Sequence, residues 1–123
     1  MEPFADVGSV DPHEIWAGVL GRVVDGQNVT LAVIELEADG VVPEHAHENE
    51  QVGVLVSGSL TFRIGDETRE LAPGGLWKVP PNVPHSVTVG SEGAVVVEAF
   101  APRRADWQPL ARRAGSTPLW PPT

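Results

Sequence analysis

A chain of 123 residues with 41% apolar side chains can enclose one core but not two, so one domain spanning residues 1–123 is expected to carry the whole function. Seventeen acidic against eight basic residues give a net charge of -9, which argues against electrostatic capture of nucleic acid or an anionic membrane surface. Without cysteine there are neither disulfides nor thiolate ligands, and any transition metal must be held by histidine, carboxylate or amide groups.

Met1 to Asp6 lacks the charged and apolar regions of a signal peptide, and no apolar run approaches the ~20 residues of a membrane span, so the expected location is the cytoplasm. Thirteen glycines and twelve prolines, dispersed along the chain, suit many short strands joined by tight turns and predict an all-β fold. Apolar and β-branched residues dominate from Ile15 to Val24 and from Val29 to Leu36, with Asp25-Gly26-Gln27-Asn28 between them, which predicts two paired strands. In the second of these, Val29, Leu31 and Val33 have one parity and Ile34 and Leu36 the other. Either both faces are buried or a bulge shifts the register.

Gln51 to Val56 forms the next strand, Ser57-Gly58-Ser59 breaks it, and Leu60, Phe62 and Ile64 then alternate until Gly65-Asp66. Further strands are expected at Thr68 to Leu71, Leu76 to Val79, His85 to Val89 and Ala94 to Phe100. The barrel core is expected to run over about 13–101, followed by a Pro-rich tail over 102–123. That many strands build either a sandwich or a barrel. Charge is divided unevenly: residues 103–123 hold four arginines and one acid, so the tail either lies against the acidic body or is a solvated terminus.

His45-Ala46-His47 places two imidazoles at i and i+2, on one face of an extended segment. Gln51 shares their parity if the chain stays extended, whereas Glu50 points the other way, which favours Gln51 as a third ligand. Pro80-Pro81-Asn82-Val83-Pro84 is a stiff turn that can deliver His85 as a fourth. Three of the four histidines thus fall into one metal-binding pattern, and His13, in a polar N-terminal stretch, needs only a surface role. Three imidazoles and an amide oxygen suit one divalent ion of Mn, Fe, Co, Ni or Zn.

Toward the C-terminus, Glu98 and Phe100 share a strand face and Arg104 follows just after Ala101-Pro102. Beside a metal, such a set suits an anionic, oxygen-rich small molecule: the guanidinium holds a carboxylate and Glu98 moves a proton. Taken alone, the residues fit a surface ion pair with Phe100 in the core more readily.

The stretches Gly40 to Gly58 and Gly74 to His85 resemble the two sequence motifs of the cupin superfamily. That resemblance implies a double-stranded β-helix, a compressed jelly-roll barrel, with a metal held by three histidines and a fourth side chain, and commonly a homodimer. Asn82 stands in place of the usual glycine, a mild change because Asn tolerates left-handed backbone angles. Gln51 stands in place of the frequent glutamate. A neutral amide leaves the ion its full charge, which favours polarising a substrate oxygen over activating dioxygen.

The Glu98-to-Trp107 segment, with the paired histidines and Glu50-Gln51, resembles the small cupins related to the pectin-degradation protein KdgF. This implies opening of unsaturated uronates to linear keto sugars, a lyase- or isomerase-type reaction with Glu98 and Arg104 catalytic and Phe100 and Arg104 contacting substrate. Glu98 replaces an aspartate of that pattern. A metal-dependent dioxygenase and a non-catalytic binding module are the alternatives. Trp16, Trp77, Trp107 and Trp120 are expected in the core or a dimer interface rather than on a sugar-stacking surface. The acids Glu35, Glu37, Asp39, Glu44, Glu48 and Glu50 are expected on a solvated face.

Overall fold

Alternating apolar and polar residues drive the chain into eight strands, all paired antiparallel, in the computed structural model, which describes residues 2–122. They are β1 (His13–Trp16), β2 (Val19–Asp25), β3 (Thr30–Leu36), β4 (Val41–His45), β5 (Glu50–Ile64), β6 (Glu67–Leu71), β7 (Leu76–Val79) and β8 (His85–Ala101). The long strands β5 and β8 pair along their whole lengths and belong to two sheets at once. The first half of β5 and the second half of β8 join β7, β3, β2 and β1 in one sheet; their other halves join β6 and β4 in the second. Two sheets that share bent strands roll into the double-stranded β-helix.

The bend has a local cause. Register shifts in β5 fall on either side of Gly58, whose φ is +80°, opposite Gly93 with φ +77°. A Cβ at Gly58 would run into the Gly93 carbonyl oxygen, so only glycine lets the strands approach there. Ser57-Gly58-Ser59 is therefore a bulge inside a continuous strand rather than a break, and the segments expected at His85 to Val89 and Ala94 to Phe100 are one strand. Gly58→Ala is expected to destabilise the protein by about 2–4 kcal/mol, read as a lower denaturant midpoint; an unchanged midpoint would mean the strands can part without cost.

The stretch from Ile15 to Val24 also differs from expectation. It is a hairpin of β1 and β2 about Ala17-Gly18, with Gly18 at φ +74° against the Glu37 side chain. For β3, the pairing to β2 and β8 runs without interruption, and every residue from Ala32 to Leu36 is buried. Two-sided burial, not a bulge, explains its mixed parity. The core between the sheets includes Val23, Ile34, Leu36, Leu55, Phe62, Val79, Val87 and Val96.

Beyond Ala101 the chain leaves the barrel, forms a 3-10 turn at Ala105–Trp107 and returns across β1. Glu14 N–H donates to Ala111 O and Arg113 N–H to Pro12 O, each at 2.9 Å. The buried Arg22–Glu35 ion pair (2.7 Å) anchors the segment further, since Arg22 donates to Ser116 O and Glu35 accepts from Leu119 N–H. Arg113 also pairs with Glu14 at 2.8 Å. The basic tail thus lies against the acidic body. Two expectations are corrected by this packing: Glu35 is buried and paired rather than solvated, and His13 is only 1% exposed, its Nδ1 3.1 Å from Leu110 O. Glu37, Asp39, Glu44, Glu48 and Glu50 are exposed as expected.

Candidate metal centre and cavity

His45 closes β4 and His85 opens β8, and the two are register partners with ring centroids 4.2 Å apart. His47 lies two residues beyond the end of β4, not on the strand, and still brings its ring within 5.6 Å of His45 and 4.9 Å of His85. Two features hold that loop in place. Asn82 N–H donates to His47 O at 2.7 Å, joining the stiff proline turn to the first histidine segment, and Asn82 itself takes the left-handed φ of +64°. Asn49, buried after the bend at Glu48-Asn49, donates through Nδ2 to Pro102 O at 2.6 Å.

Each imidazole Nδ1 faces a backbone carbonyl: His45 to Pro43 at 2.8 Å, His47 to Asn49 at 2.9 Å and His85 to Val83 at 2.9 Å. A carbonyl only accepts, so Nδ1 carries the proton in each neutral ring and Nε2 presents a lone pair. Nε2 of His85 is buried without a hydrogen-bond partner among the described residues. One ligand atom from each histidine lies within 4.8 Å of the others. Gln51 is buried while Glu50 is exposed, and Gln51 Oε1 sits 3.1 Å from His47 Nε2. With Gln51 Nε2 turned to Glu98, two lone pairs face each other across that gap, an arrangement a cation between them relieves. Three neutral imidazole nitrogens and an amide oxygen converging in this way fit a divalent transition-metal ion.

The donors open on a cavity of about 250 Å³ between the sheets. Glu98 and Phe100 project into it from β8, and Arg104 closes it from the segment beyond the barrel. Glu98 is not at the surface: its Oε2 accepts from Trp77 Nε1 at 2.9 Å and from Gln51 Nε2. Nor does it pair with Arg104. That guanidinium is 9% exposed and forms a fork with Asp106, Nε to Oδ1 at 3.0 Å and Nη2 to Oδ2 at 2.9 Å. It also stacks near Phe100 and Trp107, 5.0 and 4.2 Å from their centroids. Its Nη1 makes no hydrogen bond among the described residues. The surface ion pair that the residues suggested in isolation does not form.

Burial is the main cause of the shifted protonation equilibria. It pushes the His85 imidazole down to about 4, lowers that of His47, with the Arg104 charge adding to the effect, and raises the Glu98 carboxyl. Hydrogen bonds from Arg104 hold Asp106 below the usual carboxylate range. In metal-free protein, acid protonates the unfolded histidines below about 6.5 while the folded rings resist, so both lose stability for the fold as pH falls from there toward about 4. Glu98 acts oppositely, gaining a proton first in the folded state, so the histidine contribution is read in the Glu98→Gln background. The thermal midpoint of that variant, treated with chelator, is expected to fall through the same window; a flat profile in scanning fluorimetry would contradict the buried, neutral histidines.

Several residues that line the cavity or brace the segment closing it were not singled out from sequence. Asp106 and Asn49 carried no parity signal, and Thr30, whose Oγ1 accepts from Arg104 N–H at 2.8 Å, reads as an ordinary strand threonine. Trp77 and Trp107 are buried as expected but also line the cavity. Trp16 is 37% exposed at its edge, 5.2 Å from the His45 ring, and so is not a core residue.

The cupin domain model matches residues 32–100, and the chain belongs to the cupin family. Among curated relatives, the pectin degradation protein KdgF of Dickeya dadantii is 27% identical over 97 residues, covering 77% of this chain and 88% of that protein. An acireductone dioxygenase of Bacillus cytotoxicus is 38% identical over 72 residues, 54% of this chain and 42% of the relative. The solved structure of KdgF from Halomonas sp. superposes with a TM-score of 0.78 at 22% identity, over 86% of this chain and 98% of that one. No helix among the described residues is long and apolar enough to cross a membrane.

Proposed function

We propose that this cupin uses a divalent metal to act on a small carboxylated sugar or related oxygenated acid, and that opening an unsaturated uronate to its linear keto form is the reaction. The observation that carries the reading is the joint placement, around one cavity, of the three-histidine cluster, Gln51, a buried carboxyl and a guanidinium with an unused N–H. His45, His47, His85 and Gln51 are the ligands in this reading, and a bound ion would supply Lewis acidity to a substrate oxygen. Arg104 Nη1 donates to the substrate carboxylate, with the rest of the guanidinium held by Asp106 and Trp107. Phe100 forms the wall between Arg104 and His47. Glu98 moves the proton through Oε1, which takes no hydrogen bond from the described residues; its equilibrium, raised by burial, suits a group that must hold a proton as well as release it.

The similarity to the pectin degradation protein supports this substrate class. The test is to load the protein with Mn, Ni, Co, Fe or Zn in turn and follow unsaturated galacturonate by its conjugated ene-acid absorbance. Metal-dependent loss of that signal is expected. Protein that leaves it unchanged with every metal would overturn the reaction; ligand-dependent stabilisation without turnover would then mark a binding module. The similarity to a dioxygenase favours a second reading, which oxygen uptake by the iron-loaded protein would reveal.

The homodimer implied by family resemblance has a suitable surface. Val24, Leu31 and Val52 lie along one register row and Leu76 on the next, all at least 41% exposed on the outer face of the larger sheet. A second copy of the chain packed there would bury them. Light scattering is expected to give a dimer for the wild type and a monomer for Val52→Lys/Leu76→Lys; a dimer in both would place the interface elsewhere.

A further inference from the structure

We infer that Trp77 is a positioning residue for Glu98 and that Gly53 is the gap across which it acts; the inference rests on the catalytic reading of Glu98 above. Gly53 pairs with Trp77 on one side and with Glu98 on the other, so the three form a single register row across β7, β5 and β8. Side chains in one row share a face, and strands two apart are separated by about 10 Å. Trp77 therefore cannot reach Glu98 unless the residue between them leaves its place empty. Glycine does so: a Cβ at position 53 would lie 2.6 Å from Trp77 Nε1 and 2.7 Å from Cε2 and Cζ2, inside the indole itself. The ring fills that space, and its N–H reaches Glu98 Oε2 at 2.9 Å. Phe62 supports the indole, 5.2 Å away between ring centroids.

The consequence is an asymmetric carboxyl. Both N–H donors, from Trp77 and Gln51, fall on Oε2, so Oε1 is the oxygen left for chemistry. A side chain with three rotatable bonds is thereby reduced to one presentation, which is what proton transfer over hydrogen-bond distance requires. The row also gives a physical role to the extra methylene of Glu98 relative to aspartate, because a shorter side chain would draw the carboxyl back from the indole.

Two measurements on full-length, zinc-loaded protein test the inference. The first is spectroscopic and independent of turnover. Among the described residues, Trp77 has the one indole N–H with a hydrogen-bond acceptor, so its proton resonance, identified by its absence in Trp77→Phe, is expected downfield of the other indoles. Gly53→Ala and Glu98→Gln are each expected to move it upfield. A resonance that Gly53→Ala leaves in place would overturn the row.

The second is kinetic, with unsaturated galacturonate as the probe. Trp77→Phe keeps the aromatic volume and loses the donor, and is expected to lower kcat about ten- to a hundredfold with KM within about twofold. In the Glu98→Gln background the same substitution is expected to cost nothing more. An additive loss would overturn the positioning role, because Trp77 would then act through something other than Glu98. If Glu98→Gln itself turns over normally, the catalytic reading of Glu98 falls, and the resonance alone decides whether Trp77 holds the carboxyl.

Discussion

His85→Ala is expected to abolish retention of the metal, lowering apparent affinity at least about a hundredfold in competition with a chromogenic chelator. The size of the effect follows from what the imidazole does. It is 2% exposed, its Nδ1 is committed to Val83 O, and its Nε2 has no other partner among the described residues. Alanine removes one of three converging nitrogens and replaces it with nothing that can donate. Because a buried position is also being emptied, the circular dichroism spectrum must be recorded alongside, and His47→Ala, at a more open loop position, provides an independent arm. Elemental analysis showing one equivalent of metal in both variants would remove the three-histidine centre from consideration.

Glu98→Gln is the second substitution with a large expected effect, and it separates chemistry from architecture. The amide keeps an oxygen to accept from Trp77 and Gln51, so metal content and fold should persist. What is lost is the capacity to exchange a proton, and kcat for the uronate is expected to fall by about 10²–10⁴ with little change in KM. The metal-free variant should be at least as stable as the wild type at neutral pH, because a carboxyl whose charged form burial disfavours has been replaced by a neutral amide of the same shape. A variant that turns over normally would show that some other group carries the proton. Reduced stability would instead indicate that the carboxylate, in its charged form, holds the surrounding donors together.

Much of this organisation was legible in the sequence because the signals were local. Alternation fixed the faces of Gln51 and Glu50 correctly even though the chain bends at Glu48-Asn49, since the bend returns it to the barrel in the same phase. The turn from Pro80 to Pro84 announced itself through residues that restrict the backbone. Strand continuity was less visible: glycine and serine at 57–59 look the same whether the chain reverses or merely bulges, and only the opposing Gly93 decides. Long-range features left no local mark. Nothing near His13 signals the Leu110 carbonyl beside it, and Glu35 looks like a solvated acid until Arg22 and the returning tail enclose it. Asp106 was invisible for the same reason, because its function depends on where the guanidinium two residues earlier is aimed.

The route of the chain after Ala101 divides the molecule by adaptability. The candidate metal donors come from the barrel strands and the loops that join them, while Arg104, Asp106 and Trp107 arrive on a segment outside the barrel, fastened to it by a handful of hydrogen bonds. Sequence drift or deliberate grafting from Arg104 onward could exchange the anchor and one wall, provided the backbone at Pro102, whose carbonyl accepts from Asn49 and so steadies the His47 loop, keeps its path. A library randomised only there is a route to new ligands on an unchanged framework, and any tag or fusion joined to its end must leave the clasp on β1 and β3 intact.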